Sequence, residues 1–208
     1  MKLATELYAT QCARWPSEGE HILAHHDAET IVVYQAYRPA IGLYAVEHGR
    51  FGGPDFSFQR MSWIKPNFLW MMYRCGWGTK AGQEVVLGLR IRRVFFDNIV
   101  AQAVASTFQP AHHGTREAWQ AAVESSDVRL QWDPDHDPLG GKLARRAVQL
   151  GLRGRTLEAF ATKEIIEVID MSDFVAAQRD RAQTEDSELR TPVESIYLPE
   201  CSTQAAQA

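Results

Sequence analysis

A chain of 208 residues with 45% hydrophobic, 23% charged and 10% aromatic residues has the composition of a folded globular protein, which excludes a disordered or fibrous one. The formal net charge of −4 argues against a dedicated nucleic-acid binder, and no stretch reaches the roughly 20 apolar residues of a membrane helix. The three cysteines lie far apart and the N-terminus has no signal-peptide pattern, so we expect a cytoplasmic protein.

The first half of the chain predicts strands and helices in alternation. Residues 30–37 are rich in β-branched and aromatic side chains, which is typical of a buried strand. Pro39 then opens a helix that reaches His48 and ends at Gly49. The next predicted elements are a strand within 56–63, a buried helix over 67–74, a strand over 84–91 and an amphipathic helix over 94–108.

The second half of the chain is less regular. Its predicted elements are a helix after Thr115, a strand over 128–132, a rigid turn over 133–138, a helix over 143–152, a strand over 162–169 and a short helix from 171. Residues 181–208 are polar and predict a loosely held C-terminal tail. We therefore expect a single α+β domain over residues 1–180, with a central mixed or antiparallel split sheet flanked by helices.

Positive charge is concentrated in two segments. The first segment, 60–93, contains seven cations and one acid, Glu84. The second segment, 142–155, contains five cations and no acid. Such segments either form a solvated surface with internal ion pairs or line a cleft that attracts an anion. For the cleft, the predicted substrate-binding residues are Arg60, Arg146, Gln149 and Arg153.

Several catalytic signatures are absent from the sequence, among them the phosphate loop, the dinucleotide-binding glycine motif and the zinc-protease motif. Asp133, Asp135 and Asp137 offer oxygen ligands of the kind that magnesium or calcium prefers, but each also suits a proline-flanked turn. A metal site there would support phosphoryl transfer, for which we identify no nucleophile. We assign no metal ligand.

Residues 61–74, M-S-W-I-K-P-N-F-L-W-M-M-Y-R, combine aromatic side chains with flanking cations. Together with Y-Q-A-Y-R-P at 34–39, L-Q-W-D-P at 130–134 and R-A-V-Q-L-G-L-R-G at 146–154, this stretch resembles a domain-of-unknown-function family, DUF4291. The resemblance extends from about residue 34 to residue 178. It implies no activity by itself.

The order of three polar residues along the chain also resembles the three-part signature of the ADP-ribosyltransferase superfamily. This resemblance implies a split α+β fold and an enzyme that uses NAD as a substrate. By this resemblance Arg38, at the end of the first strand, holds the NAD diphosphate, and Ser62, on the second, shapes the nicotinamide pocket. Glu164, on a late strand, would bond the nicotinamide ribose and stabilise oxocarbenium charge. The predicted NAD-binding residues are Arg38, Tyr37, Ser62, Trp63, Lys65 and Arg74.

Besides the metal-dependent phosphoryl transfer considered above, two interpretations stay open at this level. In the first, the protein is an ADP-ribosyltransferase-like enzyme, and its basic segments favour a nucleic-acid acceptor. In the second, it is a non-catalytic nucleotide or nucleic-acid binding module. In that module Trp63 or Trp77 would stack on a base. The residues that would contact phosphates are Arg60, Lys65, Arg74, Arg146 and Arg153.

Overall fold

The computed structural model describes residues 3–184 and 186–200. Its elements, in chain order, are β1 (Thr5–Leu7), α1 (Tyr8–Cys12), β2 (Gly19–Glu20), β3 (Ile22–Ala24), β4 (Thr30–Tyr37), α2 (Pro39–His48), β5 (Ser62–Ile64), α3 (Phe68–Cys75), β6 (Val85–Arg92), α4 (Arg93–Ala101), β7 (Val104–Ala105), α5 (Pro110–His113), α6 (Arg116–Ser125), β8 (Val128–His136), β9 (Lys142–Leu152), α7 (Gly154–Ala159), a π-helical turn (Phe160–Glu164), β10 (Ile165–Asp170), α8 (Ser172–Gln183), β11 (Arg190–Pro192) and β12 (Ser195–Tyr197). The expected mixture of helices and strands is confirmed.

Two sheets meet edge to edge in the middle of the molecule. One is antiparallel, with strand order β10-β6-β4, and the other has the order β2-β9-β8-β7, with β5 also paired to β9. Tyr34 of β4 and Lys65, just after β5, exchange two backbone hydrogen bonds, with N···O distances of 2.7 and 3.3 Å. The two sheets therefore form one curled surface.

Apolar side chains fill both faces of β4. Ile31 and Val33 belong to one core cluster, which packs β6, β9 and the surrounding helices around four buried phenylalanines. Val32 and Tyr34 point to the other face and belong to a second cluster built around α3. Successive strand residues alternate between faces, so one strand serves two cores. The predicted buried strand, and the predicted buried helix after Pro66, are both confirmed.

Residues 142–152, predicted to be helical from 143, form the strand β9 instead. Their alanine, leucine, arginine and glutamine residues favour a helix by intrinsic propensity. The segment nevertheless pairs with β8 along its length and with β5 and β2 on its other edge. Pairing with three strands satisfies its backbone groups and buries Val148, Leu150 and Leu152, which outweighs the propensity. The predicted turn over 133–138 is also wrong, since β8 continues to His136.

The segment after residue 181 is not a loose tail up to residue 200. β11 pairs with β1 and β12 pairs with β3, so the C-terminal segment joins the N-terminal strands. The Gln11 side chain donates to Thr191 Oγ1 at 2.8 Å and to the Pro192 carbonyl at 3.1 Å. The folded unit therefore extends to Tyr197, and residues 201–208 of the predicted tail lie outside the described residues.

Within the described residues, no helix has the length and apolar character that crossing a membrane requires.

The C-terminal segment also fixes the start of α3. Asn67 caps this helix, because its Oδ1 accepts from the Trp70 N–H at 2.7 Å. The buried Glu194 carboxylate accepts from the Phe68 N–H at 2.8 Å and thus satisfies a second free donor of the first turn. Burial raises the pKa of Glu194 well above its ordinary value, against the opposing effect of the Phe68 hydrogen bond.

Replacing Glu194 by Gln is expected to stabilise the protein increasingly as the pH rises above about 4.5, because the variant never carries the buried charge. Between the unfolded and the folded pKa of Glu194 only the folded chain holds the proton, so wild-type stability falls with pH through this window. Thermal unfolding from pH 4.5 to 8 measures the difference in Tm between the two proteins. The exposed Glu188→Gln serves as the control, and a difference that is independent of pH would contradict the prediction.

Candidate functional site

A cavity of about 790 Å³ opens where the two sheets meet, between β4, β5 and the start of α2. This volume lies within the range of roughly 300–1,000 Å³ that small-molecule sites occupy. The residues that line it are Gln35, Ala36, Tyr37, Arg38, Ile41, Asp55, Phe56, Ser57, Arg60, Met61, Ser62, Trp63, Lys65, Met71, Arg74, Gly82, Gln83, Gln131 and Gln149.

The cavity is strongly cationic. Its lining contains four cations and one carboxylate, Asp55, which pairs with Arg38 at a distance of 2.6 Å between Nη2 and Oδ1. Arg60 and Arg74 form no ion pair with any residue that the structure describes, although Arg74 Nη1 lies 3.5 Å from Gln83 Oε1. A concave surface with this excess of positive charge concentrates anions.

Hydroxyl and amide groups form one wall of the cavity. Ser62 Oγ accepts a hydrogen bond from Gln35 Nε2 at 2.7 Å and shares another with the Tyr37 hydroxyl, also at 2.7 Å. Burial raises the pKa of Tyr37 to about 12, so its hydroxyl is neutral at physiological pH. Gln35 Oε1 is buried and has no partner among the described residues.

Two glutamines are held in fixed orientations on the opposite wall. Gln131 of β8 and Gln149 of β9 lie directly across from each other in the ladder. Their Nε2 groups donate to Asp133 Oδ1 at 2.8 Å and Oδ2 at 2.7 Å. Asp133 therefore orients both amides, and their carbonyl oxygens are left to face other donors.

Lys65 is the one lysine of the cavity lining and differs from the arginines by its burial, since its exposed fraction is only 4%. Its Nζ lies 5.6 Å from the centre of the Trp70 ring. Burial, followed by the charge of Arg74, lowers the pKa of Lys65 to about 8. The cavity therefore contains an amine that is partly neutral near physiological pH.

Most of the predicted site residues come together in this cavity. Those that line it are Arg38, Tyr37, Arg60, Ser62, Trp63, Lys65, Arg74 and Gln149. Glu164, Arg146 and Arg153 are absent from its lining. The structure therefore brings eight of the predicted residues together, whereas the expected catalytic carboxylate, Glu164, lies elsewhere.

Glu164 lies at the far end of the sheet from Arg38. It ends the π-helical turn and accepts from Arg92 Nη1 at 3.2 Å. In the strand register Arg92 of β6 lies opposite Thr30, the first residue of β4. Arg38 directly follows Tyr37, the last residue of β4. The length of β4, about 23 Å at ~3.3 Å per residue, separates the two ends. The expected convergence of Arg38, Ser62 and Glu164 on one sugar is therefore not found.

Three other predicted contact residues have hydrogen-bond partners within the protein. Arg153 donates to the Val123 and Ser126 carbonyls at 3.3 and 3.1 Å, and so caps the C-terminus of α6. Arg146 is exposed and donates to the Trp132 carbonyl at 2.6 Å. Trp77 is buried and donates to the Pro138 carbonyl at 3.1 Å, so it presents no free ring to a base.

The three aspartates considered for a metal have separate structural roles. Asp135 forms a buried ion pair with Arg145 at 2.6 Å, and Asp137 accepts from the Gly141 N–H at 2.7 Å. Asp133 accepts from the two glutamines described above. In the part of the chain that the structure describes, no three His, Cys, Asp or Glu side chains are grouped to hold a metal. The turn-based metal site is not supported.

Sequence reasoning assigned no site role to Gln35, Gln131 or Asp55, which provide polar contacts in the lining. Gln35 gave a signal, because it is the one amide in an otherwise apolar and aromatic strand. Gln131 gave none, since only the register between β8 and β9 places it opposite Gln149. Asp55 follows a glycine- and proline-containing turn, and only the fold places it beside Arg38.

Replacing Glu164 by Gln is expected to leave ligand binding at the cavity unchanged within about twofold, because Glu164 lies at the opposite end of β4. Gln149 lies in the lining, so replacing it by Ala is expected to weaken ligand binding by about tenfold through loss of a hydrogen bond to the ligand. Isothermal titration with ADP-ribose compares the two variants. A larger effect of Glu164→Gln than of Gln149→Ala would contradict this assignment of the site.

Comparison with known proteins agrees with the resemblance of the aromatic and cationic motif. A search of curated proteins found no match. A family model, Domain of unknown function (DUF4291), matches residues 21–197, which include every strand of the two sheets except β2 and the whole cavity lining. The chain therefore belongs to the DUF4291 family.

Proposed function

We propose that the cavity binds a phosphate-bearing nucleotide, with a dinucleotide of the NAD and ADP-ribose type as the preferred ligand. This proposal depends on the excess of positive charge in the lining, which contains four cations and one carboxylate. A ligand with two phosphates provides the negative charge that this surface lacks.

The remaining lining suits the uncharged parts of such a ligand. Trp63 is half-buried and Tyr37 packs against Phe56 at 6.2 Å between ring centres, so an aromatic wall is available for a base. The oriented glutamines supply acceptors for amino and hydroxyl groups. Charge, aromatic faces and amides thus occur together in one cavity of sufficient volume.

ADP-ribosyl transfer is the second candidate function. Arg38 and Ser62, which carry the resemblance to that superfamily, both line the cavity. Because Glu164 is remote, the carboxylate that stabilises the oxocarbenium charge would be Asp55, the one carboxylate among the described lining residues. The acceptor would be a nucleic acid, although Arg146 and Arg153, expected to contact it, lie outside the cavity lining.

Replacing Arg60 or Arg74 by Gln is expected to weaken NAD and ADP-ribose binding at least about tenfold each, since each removes a charge-assisted hydrogen bond. Arg155→Gln is the matched control, because Arg155 is exposed on α7 and lies outside the lining. Isothermal titration at 50 and 200 mM salt measures the affinities, which should fall at the higher salt. Absence of nucleotide binding at low salt, or equal affinities in all three variants, would refute the proposal.

Replacing Asp55 by Asn is expected to increase NAD affinity, because Arg38 loses its ion-pair partner and becomes available to the diphosphate. The same change should abolish nicotinamide release from NAD if Asp55 stabilises the transition state. Chromatography of nicotinamide, with a mixed nucleic-acid and protein pool as acceptor, measures the second effect. If the wild-type protein binds NAD but releases no nicotinamide, the transferase function is wrong and nucleotide binding stands.

A further inference from the structure

Lys65 is more deeply buried than the binding of a phosphate requires. Its backbone is fixed by two hydrogen bonds to Tyr34 at the junction of the sheets, and the rigid Pro66 follows it. Its side chain is 4% exposed, yet it lines the cavity. A phosphate can be held by an exposed lysine, whereas burying the ammonium group costs free energy.

The groups that face Lys65 do not neutralise it. Arg74 and Cys75 of α3 and Asp133 of β8 are the titratable side chains that act on it. Asp133 is engaged by the Gln131 and Gln149 amides, and no carboxylate in the described chain lies within ion-pair distance of Lys65. Its burial without an ion-pair partner therefore increases the fraction of the neutral amine, which is the nucleophilic form.

We propose that Lys65 is a reactive amine that condenses with the aldehyde of a phosphate-bearing ligand held in this cavity. The inference rests on the proposed function and narrows its ligand class to a nucleoside diphosphate sugar with a free reducing end. ADP-ribose, in its open-chain form, is such a ligand.

The chemistry needs no oxidant, reductant or further reactant. The lone pair of Lys65 Nζ forms a bond to the aldehyde carbon, and the electron pair of the C–O π bond moves to the oxygen. In net balance the oxygen takes up the two protons that Nζ loses and leaves as water, with its bonding pair from carbon, while the nitrogen lone pair forms the second bond of an imine between Nζ and the former aldehyde carbon. The cations Arg60 and Arg74 would meanwhile hold the diphosphate and place the reducing end.

The neutral fraction of the amine determines the rate. At pH 7.5, a pKa of about 8 leaves roughly a quarter of Lys65 neutral, against about 0.1% of an ordinary lysine. Lys80, Lys142 and Lys163 are exposed and serve as internal comparisons in the same molecule. Lys65 should therefore be modified at least about tenfold faster than any of them, even after its restricted access is allowed for.

The test incubates the full chain with ADP-ribose and cyanoborohydride, which reduces the imine to a stable amine, and maps the adducts by peptide mass spectrometry. We expect the adduct at Lys65, with a rate that rises to a plateau above about pH 8. Excess ADP, which lacks the aldehyde but competes for the cavity, should suppress it. Lys65→Arg should form no adduct at position 65, while Lys80→Arg, at an exposed residue outside the lining, should behave like the wild type.

The outcomes separate this inference from nucleotide binding. If titration shows that ADP-ribose binds but Lys65 is modified no faster than Lys80, the inference is wrong and the proposed function stands. If ADP-ribose neither binds nor modifies Lys65, both are wrong. Thermal unfolding of Lys65→Arg verifies that the variant folds. If the variant does not fold, the rates of adduct formation at Lys65 and at the exposed lysines of the wild-type chain still test the inference.

Discussion

The pair of backbone hydrogen bonds between Tyr34 and Lys65 joins the two sheets, and the cavity exists because of that junction. The Tyr34 side chain is fully buried and meets the Phe68 ring edge-on at 5.4 Å, so α3 packs directly on the junction. The strand end that carries Gln35 and Tyr37 is thereby held beside Ser62 and Trp63, and the two strands form adjacent walls of one concave surface.

The partners of each cation distinguish structural arginines from those that face a ligand. Arg145 is buried against Asp135, Arg90 pairs with Glu167 at 3.0 Å, and Arg153 caps a helix. Arg60 and Arg74 have no ion-pair partner among the described residues, although both lie in the cavity lining. Positive charge that the protein itself does not neutralise is the charge that a ligand can neutralise, and in this fold it is concentrated at the sheet junction.

Burial divides the cavity into two chemical regions. The exposed arginines carry permanent charge and suit phosphate recognition. Lys65 lies deeper, beside the Trp70 ring, where desolvation disfavours the ammonium form. An anionic ligand with a reactive end would therefore meet binding groups at the opening and a nucleophile at the wall.

The sequence by itself determined the elements whose signals are local. Proline at the start and glycine at the end define α2, the apolar stretch before Cys75 defines α3, and the β-branched run defines β4. It also indicated part of the cavity lining, because Arg60, Ser62, Trp63, Lys65 and Arg74 lie on one continuous motif beside the junction.

Only the tertiary structure decided the features that depend on pairing between distant segments. Residues 142–152 have helical propensity but become β9 because three strands bind them, and that strand brings Gln149 to Gln131. The antiparallel order β10-β6-β4 carries Glu164 to the end of the sheet opposite Arg38. Strand register and sheet order are set by contacts between residues far apart in the chain, and no local pattern specifies them.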